Sequence, residues 1–157
     1  MQPSPNIARV NLVLHILDDA RRRLATLDRG SSLCDASAIL SNANTPLAVV
    51  CDGDGVALGV VSRMDLVKAF SRANGDASRA RAEDFMTREF VYCREEQALQ
   101  AVWKKLCSRG LRCAPVLDES GRLRGILHAR DLVRALLDEV TTEEMLLRDY
   151  VLGVGYR

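Results

Sequence analysis

Apolar positions along this chain change their period several times, and each change marks an element. Between residues 99 and 107, Leu99, Val102, Trp103, Leu106 and Cys107 recur at helical spacing. That predicts an amphipathic helix, with Trp103 on its core face and Gly110 as its end. Two short apolar runs follow, CAPVL and LRGIL, separated by DESG, and together they predict a hairpin. A second helix is expected to begin near Asp131 and to carry Leu132, Val133, Leu136 and Leu137. Ahead of the first helix, FVYC is a strand candidate.

The first half of the chain runs through the same order. LATL reads as a strand, Leu33, Ala36, Ile39 and Leu40 as a helix face, LAVVC-DGDG-ALGVV as a hairpin, and Met64 to about Arg72 as a helix. The correspondence is a repeat with an offset of 66 positions, clearest where GVVSRMDLVKA (59–69) meets GILHARDLVRA (125–135). Leu33 pairs with Leu99, Leu40 with Leu106, Val50 with Val116, Asp52 with Asp118, Gly55 with Gly121 and Asp65 with Asp131. Neither unit is large enough to close a core alone, so the two should pack on each other.

The expected class is α+β: two β-α-β-β-α units packed face to face with pseudo-two-fold symmetry, plus N- and C-terminal helical extensions. The segments are an extension at 1–23, with a helical stretch from about Val10 to Leu24; a first unit at 24–73; a linker at 74–84; a second unit at 85–140; and a tail at 141–157. Thr141 and Glu144 have the spacing of a capping box, which predicts a separate short helix, EEMLLRDYVLG. Met145, Leu146, Tyr150 and Leu152 on it would suit a partner surface or packing on the module.

Composition adds exclusions. With 157 residues, 48% apolar and 27% charged, the chain is of globular type. A formal charge of +1 gives no reason to expect nucleic acid or a membrane surface. Arg21, Arg22 and Arg23 follow Asp18 and Asp19 and read as a solvated helix face. Asn11 and His15 interrupt VNLVLHIL, so no membrane span is expected; with no signal-peptide cleavage site in view, a cytoplasmic protein is. The five cysteines form no Cys-x-x-Cys pair and no His lies at ligand spacing, so neither a metal site nor a disulfide framework is expected. No nucleophile with a base and no phosphate loop of the Gly-x-x-x-x-Gly-Lys type stands out; no catalytic residue and no required cofactor are expected.

The stretch LRCAPVLDESGRLRGILHARDLVRAL closely resembles the C-terminal half of a cystathionine-β-synthase (CBS) domain, and EDFMT (83–87) resembles the lead-in to the second domain of a tandem pair. The resemblance covers roughly residues 20 to 140. It implies a ligand-sensing module that binds an adenosine-containing molecule (AMP, ADP, ATP, NAD or S-adenosylmethionine) between the two domains as a regulatory ligand. It implies a homodimer as well, with output through a protein target that the sequence does not identify. By the family pattern Asp65 and Asp131 would take the ribose hydroxyls, and Ser62 and His128 would face phosphate. Thr87, Val91, Ala114 and Pro115 would border adenine, Thr87 and Val91 near the second cleft. Val49 stands where the second copy has Pro115, so the second copy is the better candidate for an occupied site.

The residue chemistry agrees with those roles. A carboxylate offers acceptors for both hydrogens of a vicinal diol. A helix N-terminus suits phosphate, and Arg63 and Arg130 could add charge-assisted contacts. A protonated His128 would make phosphate binding depend on pH near 6.5. A plainer reading stands beside these, because Ser62 and Asp65 also form a capping-box pattern worth about 1 kcal/mol. A ligand-free structural or interaction module is the alternative function.

Overall fold

The computed structural model describes residues 11–74, 76 and 79–154. Val10, the last three positions of the expected tail, and linker positions 75, 77 and 78 lie outside the described residues. Helix α1 (Leu17–Arg22) follows a 3-10 turn at Val13–Ile16. The first unit then contains β1 (Thr26–Asp28), α2 (Leu33–Leu40), β2 (Leu47–Cys51), β3 (Ala57–Ser62) and α3 (Arg63–Arg72). A short α4 (Ala82–Phe85) leads to α5 (Leu99–Arg109), β4 (Cys113–Leu117), β5 (Leu123–His128) and α6 (Ala129–Val154).

Sheet register preserves the repeat. In the first unit β1 runs parallel to β2, and β2 antiparallel to β3, with Ala48 opposite Val61. In the second, β4 and β5 are antiparallel with Ala114 opposite Leu127. The counterpart of β1 shrinks to one residue. Only Cys93 of FVYC joins the sheet, as a parallel bridge to Val116 that mirrors Leu27 opposite Val50. Phe90 and Tyr92 instead meet edge to face at 6.0 Å, and Arg94 and Lys105 lie over the Tyr92 ring.

Helix ends follow local chemistry. Ser32 and Asp35 cap α2 reciprocally, and Gly110, at φ 63°, ends α5 in the left-handed conformation that glycine tolerates. The tail departs from expectation, since α6 is one continuous helix of 26 residues. No glycine or proline lies between Leu132 and Leu152 to break it. Thr141 and Thr142 turn their hydroxyls back onto the carbonyls of Leu137 and Asp138, at 3.0 and 2.8 Å, instead of starting a new helix.

The two units face each other through Val49, Cys51, Val60 and Ile126, a buried layer between the sheets. Two backbone hydrogen bonds tie the hairpin turns across the pseudo-two-fold: Ala57 N–H donates to the Gly121 carbonyl, and Leu123 N–H to the Gly55 carbonyl, both at 3.0 Å. Behind each sheet lies a separate core. Each core recruits the lead-in of the other unit. Val13, Leu17 and Ala20 pack with Leu99, Val102, Leu106, Ala114, Val116, Leu127 and Leu132 of the second unit. Ala82 of α4, which leads into the second unit, packs with Leu33, Leu40, Val50, Val61 and Leu66 of the first.

The segment read as an N-terminal extension is therefore part of the second unit's core. Backbone bonds hold it there: Val13 N–H to Gln97, Leu14 N–H to Glu95, and Leu99 N–H to Asn11, at 2.8–2.9 Å. The cysteines are free thiols. Burial pushes Cys93 up to about 12 and Cys51 and Cys113 up to about 11, so these three act as small apolar side chains. Among the described residues no helix is long and apolar enough to cross a membrane, and no His, Cys, Asp and Glu cluster could hold a metal ion.

Candidate functional site

Strand β3 delivers Ser62 to the start of α3, where its extended backbone (φ −105°, ψ 170°) makes it the N-cap. Asp65 Oδ2 accepts the Ser62 backbone N–H at 2.8 Å and its hydroxyl at 3.0 Å. The capping role of this pair is thus real. It leaves Oδ1, which accepts only the Thr87 hydroxyl at 3.1 Å. A carboxylate oxygen has room for two donors. One acceptor position on Asp65 is therefore open among the described residues.

That carboxylate borders a cleft of about 540 Å³ between α3 and the α4 region, with Phe85, Met86 and Thr87 on the far side. Asp65, Lys68, Ala69 and Arg72 line it from α3, one helical face at i, i+3, i+4 and i+7. At 1.5 Å rise per residue, Lys68 and Arg72 lie about 4.5 and 10.5 Å along the axis from Asp65. Neither cation has a hydrogen bond or ion pair among the described residues. Arg79 also lines the cleft and meets Asp76 at 3.6 Å. Asp84 accepts the backbone N–H of Arg81. The cleft thus offers the carboxylate of Asp65 at the start of α3, those of Asp76 and Asp84 opposite, an apolar wall and two uncommitted cations.

Thr87 owes its position to the exchange of lead-ins. Val60 and Thr87 exchange backbone hydrogen bonds of 2.8 and 2.9 Å, which adds the residue after Met86 to the first unit's sheet. Sequence expectation put Thr87 near the second cleft; the structure puts it on the first. Arg63, by contrast, is not in this cleft. Its guanidinium caps the end of α2, donating to the carbonyls of Leu40 at 3.0 Å and Asn42 at 2.9 Å, and it lines a separate groove between α2 and α3.

The second copy looks different. Asp131 is only 4% exposed and is gripped by Arg23, whose Nε and Nη2 donate to Oδ2 and Oδ1 at 2.7 and 3.1 Å. This two-pronged contact keeps the guanidinium protonated even more firmly than usual. His128, half-buried beside the pair, has its imidazole held below the ordinary value of 6.5, first by burial and then by the charge of Arg23; Asp131 opposes the shift and Arg130 adds to it. The expected pH sensitivity near 6.5 therefore moves lower. Arg130 is exposed and has no ion pair among the described residues. Ala114 and Pro115 are buried in β4, and Val91 is half-buried in the segment before α5. The accessible carboxylate is that of Asp65, contrary to the expectation that favoured the second copy.

Sequence reading missed Arg23, Lys68, Arg72 and Arg79. Arg21 and Arg22 are solvated beside Asp18 and Asp19, as a charge run predicts. Arg23 is the first residue past α1 and turns off that face. The repeat offset carried upstream pairs Ala20 with Met86, which lie against the repeat mates Gly125 and Gly59, but it sets Arg23 opposite Glu89 and gives no signal for the arginine.

With the geometry in place, comparison with known proteins gives the class. The CBS domain family model matches twice, at residues 16–72 and 82–138. The chain belongs to the CBS domain family. It is 28% identical over 124 residues to an uncharacterized 17.7 kDa protein from Acidianus ambivalens, covering 79% of this chain and 74% of that protein. The crystal structure of the CBS-domain containing protein ATU1752 from Agrobacterium tumefaciens is 30% identical, with a TM-score of 0.66, covering 80% of this chain and 98% of that one. CBSX2, crystallised in complex with AMP, is 26% identical with a TM-score of 0.67, covering 78% and 96% of the two chains. The chain spans only 27% of the homoserine O-acetyltransferase of Methanococcoides burtonii, to which it is 26% identical.

Proposed function

We propose that this chain is a cytoplasmic regulatory module, not an enzyme, that binds an adenosine-containing ligand carrying phosphate in the cleft beside Asp65. The observation that carries the reading is the line Asp65, Lys68, Arg72 along one face of α3. A ribose diol would donate to Asp65, with Thr87 turning its hydroxyl to make room, and phosphate oxygens would meet Lys68 and Arg72. AMP in the CBSX2 structure supports the ligand class. Free cysteines throughout suit a reducing compartment. Met64 and Val67 on α3, and Val133 and Leu137 on α6, are exposed apolar residues, with Val67 and Val133 repeat mates, and they support a homodimer built on that face.

A thermal-shift series with AMP, ADP, ATP, NAD, S-adenosylmethionine and adenosine tests the reading. A ligand at about 100 times its Kd adds about 2.7 kcal/mol, a shift of several degrees at roughly 2–4 °C per kcal/mol. A phosphate-bearing ligand should shift Tm more than adenosine, and Lys68→Ala with Arg72→Ala should remove the difference. A panel without any shift would leave the ligand-free interaction module as the function.

A further inference from the structure

The repeat makes the surroundings of Asp65 and Asp131 comparable, and they differ in what the other unit's lead-in brings to the carboxylate. At Asp65 it brings the hydroxyl of Thr87, a neutral group that shares one oxygen and can rotate away. At Asp131 it brings the guanidinium of Arg23, which takes both oxygens. The pair is withdrawn from water, with Asp131 4% and Arg23 24% exposed. Nor is the arginine on a loose arm. Ala20, three residues earlier, packs directly on Gly125 of β5, and the backbone bonds to Glu95 and Gln97 fix the turn before α1.

We propose that Arg23 decides how many ligands each chain takes, closing the second cleft by occupying the carboxylate that would otherwise receive the ribose. A diol offers two neutral donors to Asp131, whereas Arg23 offers two charged ones already aligned. An entering nucleoside would have to break that contact and leave the guanidinium unpaired. The first cleft has no such competitor. One chain therefore binds one ligand, at Asp65, and an arginine in the first unit's own lead-in is what silences the second site.

This proposal rests on reading the clefts as adenosine-ligand sites, and equilibrium dialysis with AMP on the full chain separates the two ideas. Wild type should bind one AMP per chain, Arg23→Gln two, and Arg23→Gln with Asp131→Asn one again. Asp65→Asn should lose the wild-type site. If wild type binds none but Arg23→Gln binds one, the reading of the first cleft fails and the role of Arg23 stands. Two AMP bound to wild type, or a folded Arg23→Gln that binds no more than wild type, overturns the proposal. Should Arg23→Gln fail to fold, Arg23→Lys, which keeps the charge but loses the fork, must show the extra site.

Discussion

Ala20 lies so close to Gly125 that a Cβ built on the glycine would meet the Ala20 carbonyl carbon at 2.8 Å. The repeat mate is equally tight, with Gly59 facing the Thr87 carbonyl oxygen at 2.9 Å. At Gly59 the Met86 side chain is nearer still, with Sδ at 2.7 Å and Cγ at 2.8 Å, and can give way, whereas at Gly125 the obstacle is the backbone and Cβ of Ala20. Gly125→Ala should thus cost about 1–3 kcal/mol by overpacking and should loosen α1 from the second unit. Urea unfolding would read the loss, and hydrogen exchange at α1 would locate it. An unchanged midpoint would mean that α1 can shift freely.

The Arg23–Asp131 pair makes a separate stability prediction. Removing one partner leaves a buried charge alone, at a cost of about 3 kcal/mol or more, and replacing both by apolar residues recovers much of it. Arg23→Gln should accordingly destabilise more than Arg23→Met with Asp131→Leu. Equal losses in both would show the pair to be solvated.

His128 gives the pH signature of the same cluster. Its folded value is depressed, so the folded state binds fewer protons than the unfolded chain between the lowered value and 6.5. The contribution of this residue to stability is fully present above 6.5 and is lost as pH falls through its folded value. An NMR titration should show the His128 midpoint below 6.5, rising in Arg23→Gln, which removes a repelling cation, and falling in Asp131→Asn. A midpoint unmoved by either change would place the imidazole away from the pair.

Beyond the module, α6 carries Met145, Leu146, Leu147, Tyr150, Val151 and Leu152, each more than half exposed. An uncovered helical segment of this length is marginal in water. If it lies in a dimer, Leu147→Glu with Val151→Glu should weaken self-association by at least tenfold in sedimentation velocity without altering thermal unfolding of a dilute sample. Identical sedimentation of variant and wild type would remove α6 from the interface.

Much of this was legible in the residues. Apolar periodicity found the paired helices and hairpins, because core faces set the repeat at each position. Asp52 and Asp118 announced their turns, and each accepts two backbone N–H groups there. What periodicity cannot express is which unit covers an apolar face. Leu17 and Ala20 fall within the helical stretch expected from about Val10 to Leu24, yet the sheet they pack on lies about a hundred residues downstream. The same gap hid Arg23: adjacency grouped it with Arg21 and Arg22, while the end of α1 separates it from them in space. Lys68 and Arg72 fall in the helix expected from Met64 to about Arg72, and only the fold puts a cleft beside them.

The central claim is that the carboxylate of Asp65 receives a nucleotide. Isothermal titration of wild type and Asp65→Asn with AMP tests it most directly. An asparagine at this position can still accept the Ser62 backbone N–H through its amide oxygen and keep the capping box, so the variant should remain folded. The account predicts saturable binding to wild type, one AMP per chain, weakened at least tenfold in Asp65→Asn. Equal affinity in the two proteins would contradict it.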